Sequence, residues 1–512
     1  TRTAALNASI LPKMLETANS TEQSVRATNI KVPLMIMRGD GGVMEINEMK
    51  KRPILTMLSG PAASVIGALM YLRASNGIYF EVGGTSTNVG VIKNGRPAVD
   101  YSIIGGHRTY VNSLDVRVLG VAGGSMVRAR KGEVIDVGPR SAHIAGMGYA
   151  CFTDPTLFDG AELYHIQPRS NDPADYVAIR LNNGESVTIT NTCAANVLGI
   201  LEEGDYARGN YEASCKAIQL LADEVGLSLE ATAEAILTKS SDKIIPVIED
   251  LIMKYKIERD QIVLVGAGGG AGTLLTFTAN RLKFKYQIPV NAEVISSIGV
   301  ALAMVREMVE RTIPNPTAAD IAQLKKEAKA LAMNSGAVED SIEIYVEIDD
   351  QTQKVTAIAM GSTEVKTTDL MKNCTAEEAI AIAAESVGAE KNEITLAASN
   401  GFVFVLTMSK DGRTPLYVVD KKGFIKVQRA NGNVERTTLE NAAETLKKMW
   451  DQASNFSSEV RINPDVYVIS ESRVLDYSGI PELTQVTGLI EAELADQKPE
   501  DEIILVLARN EL

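Results

Sequence analysis

Residues 79–95 read YFEVGGTSTNVGVIKNG, and their reading decides the fold. An apolar run, Ile78 to Phe80, meets an acid at Glu81. Gly83 and Gly84 follow, then the small polar residues Thr85, Ser86, Thr87 and Asn88. The chain returns to apolar residues at Val89 to Ile92 and turns at Asn94–Gly95. The pattern is a strand hairpin whose tip crowds glycines and hydroxyls beside a carboxylate. Glycine has no Cβ, so such a tip lets backbone N–H groups approach an anion. Thr85, Ser86 and Thr87 add hydroxyl donors, and Glu81 is placed to hold a magnesium-bound water or to orient an attacking one. A tight hairpin with solvated hydroxyls has the same local signature, so the hairpin alone does not decide function.

A second glycine run sharpens the reading. IVLVGAGGGAG, 262–272, is a strand that ends in glycines and opens a helix. That order favours a phosphate or ribose at the helix N-terminus and close backbone approach to an adenosine. A dinucleotide fingerprint ranks low, because it requires an acid about 20 residues further on, and no well-placed one follows.

The chain has 512 residues, enough for two or three domains, and its 45% hydrophobic and 23% charged content is ordinary for a globular protein. A net charge of −14 argues against nucleic acid or an anionic membrane as the main partner. Cys151, Cys193, Cys215 and Cys374 are widely spaced, with no CxxC, which reads as buried thiols of a cytoplasmic protein rather than a zinc site. No apolar run reaches membrane-spanning length. The chain opens TRTAALNASILPKM, without Met and already inside a helical pattern, which suggests a fragment or processed product.

Helix is expected over 1–30 and from Ser59 to about Arg73, with strands at 34–37, 78–82, 88–93, 97–104, 114–121 and 125–136. Residues 137–185, rich in Gly, Pro and Asp, read as irregular, and helices dominate afterwards. VISSIGVALAMVREMVERT reads as one helix, and IPNPTAAD, 313–320, as a linker. The resulting division is an α/β domain over 1–315, a linker helix over 316–334, and an α+β domain of unknown role over 335–512.

LNASILPKM, MIMRGDGG, RPILTMLSGPAASVIGA, EVGGTSTNVGVI, SLDVRVLGVAGGSMV, DVGPRSAHIAG and LVGAGGGAG with IPVNAEVISSIGVAL occur in this order. Over roughly 1–310 the series resembles the hydantoinase A/5-oxoprolinase family of the actin, sugar-kinase and heat-shock-protein ATPase superfamily. The resemblance implies an actin-like (ribonuclease H-like) ATPase lobe with a mixed sheet, using ATP and Mg2+. By the same resemblance EVGGTSTN is the second phosphate-binding hairpin and GAGGGAG the adenosine motif. GVAGGSM matches a family glycine turn near the cleft, and NAEVISSIGVAL the helix joining two lobes. Family members couple ATP hydrolysis to opening of cyclic amides, or to carboxylation, often with a hydantoinase B-like subunit.

Three departures stand out. The family hairpin usually carries Asp at the positions of Glu81 and Asn88. Glu81 is one methylene longer, a displacement of about 1 Å that can cost on the order of a hundredfold in a positioned reaction. The superfamily's first phosphate hairpin is not found before Arg38, so it is expected on a segment outside this sequence or on another chain. SAHIAGMGYACF keeps Tyr149 and Cys151 but not the family's Pro-Gly-Pro run.

The sequence thus nominates Gly83, Gly84, Thr85, Ser86, Thr87, Gly268, Gly269 and Gly270 for nucleotide, and Glu81, Asn88 and His107 for catalysis. Glu81 and Asn88 would hold the metal through water. Arg38, Asp40 and His143 are substrate candidates; an ion pair, a turn-forming Asp or a hydrogen-bonded structural His are the competing readings. Asp115 with Arg117 reads as a buried pair or as cleft residues, and Cys151 as a buried thiol, since no His/Asp partner is apparent. The favoured function is the nucleotide-binding part of an ATP-dependent cyclic-amide hydrolase acting through a phosphorylated amide, in a homo- or hetero-oligomer. The alternatives are a chaperone-type ATPase that reactivates a partner enzyme and a non-catalytic nucleotide-binding subunit.

Overall fold

Ile78, Phe80 and Val82 alternate with Tyr79 and Glu81 along β1 (Gly77–Val82), so this strand has two faces to cover. Both are covered: every residue of β1 is buried except the half-buried Glu81. A computed structural model describes residues 2–31, 34–72, 77–93, 96–104, 107–259, 262–314, 316–349, 353–362, 374–421, 423–457, 460–495 and 497–510. In it β2 (Thr87–Lys93) returns antiparallel to β1, with Glu81 opposite Asn88 and Val82 opposite Thr87. The short β3 (Arg117–Leu119) lies antiparallel on the far side of β2. On the other side β4 (Val263–Ala267) runs parallel to β1, setting Ala267 beside Glu81, and β5 (Lys285–Gln287) runs parallel to β4. With the short strand Arg96–Pro97 also pairing antiparallel to the end of β2, these six strands form the expected mixed α/β sheet.

The alternation on β1 divides the surrounding core. Ile78, Phe80 and Val82 pack with Leu221, Ile236 and Leu274, while Tyr79 packs with Ala62, Ala63 and Ile295. On that second face lie α1 (Ser59–Leu72) and α3 (Ile295–Leu302), while α2 (Ala271–Leu282) packs on the first. α1 and α3 cross backbone against backbone: a Cβ on Gly299 would stand 1.7 Å from the Ala63 carbonyl oxygen, and one on Gly67 2.2 Å from that of Ile295.

Two expectations need correction. The stretch read as one long helix stops at Leu302, and Val305–Thr312 is a strand. Its helical composition is overridden by pairing, residue for residue, with Lys354–Gly361. That sheet therefore joins residues on either side of position 315. Within 137–185, Glu162–Ile166 and Tyr176–Arg180 form an antiparallel pair. The second of these, YVAIR, is buried at all but its last residue, and the flanking Gly, Pro and Asp mask it in the sequence.

The C-terminal part is α+β, with four-stranded sheets 395–399/403–407/416–420/425–429 and 432–438/502–508/465–470/473–476. No helix among the described residues is long and apolar enough to cross a membrane.

Candidate functional site

The β1–β2 hairpin ends at Gly83 and Gly84, and two other turns close on it through main-chain hydrogen bonds. Gly123 N–H donates to the Gly83 carbonyl and Gly124 N–H to the Gly84 carbonyl, each at 3.1 Å. Gly270 N–H donates to the Val82 carbonyl at 2.9 Å. Gly268 makes this last approach possible: its φ is +81°, and a Cβ there would lie 2.4 Å from the Val82 oxygen. The bends at 83–84 and 268–270, separated by most of the domain in sequence, thus meet at the end of β1.

Together these turns line a cleft of about 340 Å³, within the range of small-molecule sites, with Tyr149, Phe152, Thr192, Tyr206 and Ala207 as the remaining walls. None of the lining residues carries a charge. Thr192 fixes the middle turn, its hydroxyl donating to the Gly123 carbonyl at 2.9 Å, and Asn191 does the same at Ala122 at 2.8 Å. Tyr149 stacks on Phe152 with ring centroids 5.7 Å apart, and the Tyr206 ring lies against Gly269.

The N–H groups of Gly84, Thr85, Ser86 and Gly269 have no hydrogen-bond acceptor among the described residues. Gly84 is exposed and the other three are half-buried, so these donors are open to solvent or a ligand, and consecutive ones at a turn can form a concave seat for an anion. Thr85 and Thr87 are engaged within the protein, Thr85 with the Ser141 hydroxyl at 3.0 Å and Thr87 with the Val121 carbonyl at 2.6 Å. Of the three hydroxyls at the tip, only that of Ser86 has no partner among the described residues.

Glu81 is on the opposite face of β1 from Val82. Its carboxylate accepts from the Ser64 hydroxyl of α1 at 2.7 Å and from the Asn88 amide at 2.9 Å. Neither Glu81 nor Asn88 lines the cleft. Two of the carboxylate's roughly four lone-pair sites remain, which fits a water-mediated hold on a metal ion that arrives with phosphate. No group of three or more His, Cys, Asp or Glu among the described residues is arranged to hold a metal directly.

The remaining candidates lie elsewhere. Arg38 and Asp40 form a network with Arg306 and Glu307: Asp40 accepts from Arg38 at 2.8 Å, from Arg306 at 3.2 Å and from Gly42 N–H at 3.1 Å. His107 is exposed at the start of the strand His107–Leu114, which pairs with Val99–Ile104. His143 is exposed on a single helical turn capped by Ser141, so it approaches the hairpin only through the Ser141–Thr85 contact. Asp115 is a buried hub for Arg117, Lys254 and Tyr255. Cys151 is buried with Cys193 behind the cleft wall.

Sequence reasoning placed the two glycine bends in one site and reached Gly123–Gly124 through a motif. It missed Phe152, Thr192 and Tyr206, which come from separate loops and carry no local signature.

The chain is a member of the hydantoinase/oxoprolinase family, whose profile matches residues 1–309. It is 25% identical over 325 residues to caprolactamase subunit alpha of Pseudomonas jessenii, a match covering 61% of this chain and 42% of that protein. The chain therefore spans about two-fifths of that relative's length. The crystal structure of the ATP-dependent caprolactamase from Pseudomonas jessenii superposes on all of this chain and 70% of its own, at 16% identity and a TM-score of 0.53. A nucleotide-free acetone carboxylase superposes on 82% of this chain and 62% of its own, at 15% identity and a TM-score of 0.46.

Proposed function

We propose that this chain is the nucleotide-binding part of an ATP-dependent cyclic-amide hydrolase. One observation carries the reading: Gly83 and Gly84 of one bend and Gly269 and Gly270 of the other line a single cleft, and the N–H groups of Gly84 and Gly269 in it have no acceptor among the described residues. In this reading the hairpin donors hold the phosphates, and Gly268–Gly270 hold the adenosine. Glu81, turned toward Ser64 and Asn88 and away from the cleft, would reach a phosphate-bound Mg2+ only through water. The ion supplies positive charge to the phosphates, which the uncharged cleft walls do not.

The proposed chemistry is transfer of the γ-phosphoryl group to the ring amide oxygen, with ADP leaving. Phosphorylation withdraws electrons from the ring carbon; water adds there, the ring C–N bond breaks with the nitrogen taking up a proton, and a second water hydrolyses the resulting acyl phosphate to carboxylate and inorganic phosphate. The family supports this reaction class, and the relative's description as a subunit supports a second chain in the assembly, which in this reading is hydantoinase B-like and cytoplasmic.

The test is product analysis of the intact protein with Mg-ATP and a panel of hydantoin, oxoproline and lactam rings. Ring-opened product appearing in step with ADP is the expected result. ADP release stimulated only by a partner protein, with no ring opened, would replace the hydrolase by a chaperone-type ATPase. Failure to bind Mg-ATP would remove the nucleotide reading itself.

A further inference from the structure

Tyr149 reaches the cleft from the loop that lacks the family's Pro-Gly-Pro run. Its hydroxyl stands between two of the glycine turns. A Cβ built on Gly124 would lie 1.8 Å from Tyr149 Oη, and one built on Gly84 would lie 3.1 Å from it. Gly124 is thus the residue that admits the hydroxyl. The ring is held from behind by its stack on Phe152. The hydroxyl itself has no hydrogen-bond partner among the described residues, although the ring is half-buried.

A phenol brought beside Gly84 without a protein partner leaves its hydroxyl open to the cleft. The N–H groups of Gly84 and Gly269, which line the same cleft, have no acceptor among the described residues either, and those of Thr85 and Ser86 follow on at the hairpin tip. All these groups are donors, and the missing partner common to them is an acceptor with several oxygens. We propose that the Tyr149 hydroxyl is a phosphate-contacting donor that completes the anion seat of the β1–β2 hairpin. This assignment rests on the nucleotide reading above and adds a side chain to a seat otherwise built of main chain. Burial pushes the Tyr149 phenol above its ordinary value of 10.0, so it keeps its proton and donates throughout the neutral range.

The experiment compares the intact protein with its Tyr149→Phe variant, titrated with Mg-tripolyphosphate and separately with adenosine. The variant keeps the ring and its stack on Phe152. The expected result is tripolyphosphate binding weakened about tenfold, the order expected for a hydrogen bond to a charged group, with adenosine affinity and melting temperature unchanged. Equal tripolyphosphate affinity in the two proteins overturns the assignment and leaves the nucleotide reading standing. An equal loss for both ligands, or a lowered melting temperature, also overturns it, because the hydroxyl would then be shaping the fold. If the unsubstituted protein binds neither ligand, the nucleotide reading fails and takes this assignment with it.

Discussion

Two polar clusters in this chain look alike in sequence and differ in how their hydrogen bonds close. MRGDGG and EVGGTSTN each set charged and glycine residues at a strand end. Around Asp40 both carboxylate oxygens are met by protein donors, from Arg38, Arg306 and Gly42, and Asp40 is only 2% exposed. Around Gly84 the donors face a cleft and find no acceptor in the protein. The Asp40 carboxylate is closed by its neighbours, although Arg38 Nε beside it is buried without a hydrogen-bond partner, whereas the donors at Gly84 stay open at an accessible cleft. The kind of residue does not distinguish the two clusters, and the state of its partners does.

The sharpest way to break this comparison is Asp40→Ala. It leaves Arg38 and Arg306 facing each other in a buried site, and removing one member of such a pair costs roughly 3–5 kcal/mol. Denaturant unfolding should show that loss, while the fraction that stays folded binds Mg-ATP as before. An unchanged unfolding midpoint would mean that the network is not structural.

Gly268→Ala comes next. Its positive φ and the 2.4 Å approach to the Val82 oxygen make the new Cβ costly by roughly 1–3 kcal/mol. Because the strain falls on the turn that meets β1, nucleotide affinity should drop at least tenfold, as read by calorimetric titration. Intact affinity would detach this bend from the site.

The smallest expected effect is acid sensitivity at a closed pair away from the cleft. Hydrogen bonds from Arg128 hold the Asp175 carboxyl below its ordinary 3.8. A depressed acid contributes stability above its unfolded value and loses it as pH falls through the folded one. Melting temperatures taken from pH 5 down to pH 2 should therefore fall slightly less steeply in Asp175→Asn. The difference should stay under about 1 kcal/mol, because the pair is partly exposed and screened. An identical slope would show that the pair adds nothing measurable.

Much of the α/β lobe was legible in the sequence because its signals are local. The apolar alternation from Ile78 to Ile92 and the glycines that interrupt it give the hairpin, and 262–282 gives strand, turn and helix. Val305–Thr312 was not legible, since its partner strand lies about fifty residues further along and only that pairing makes it extended. The cleft divides in the same way. Gly83, Gly84, Gly269 and Gly270 announce themselves, because backbone conformation leaves a mark on residue choice. Phe152 and Tyr206 do not, because an exposed aromatic in a loop takes its meaning from what folds opposite to it. Glu81 was correctly read as sitting beside the hairpin, but strand parity turns it toward α1 and Ser64 rather than toward the cleft.

The three glycine turns are joined peptide to peptide, Gly123 to Gly83, Gly124 to Gly84 and Gly270 to Val82. A mould cast in peptide groups is indifferent to most side-chain replacement. Divergence among relatives can redecorate the rim at Tyr149, Phe152 and Tyr206 while the floor keeps its shape. A lineage of such proteins would then change what it accepts by exchanging a few aromatic rings, with the grip beneath inherited intact.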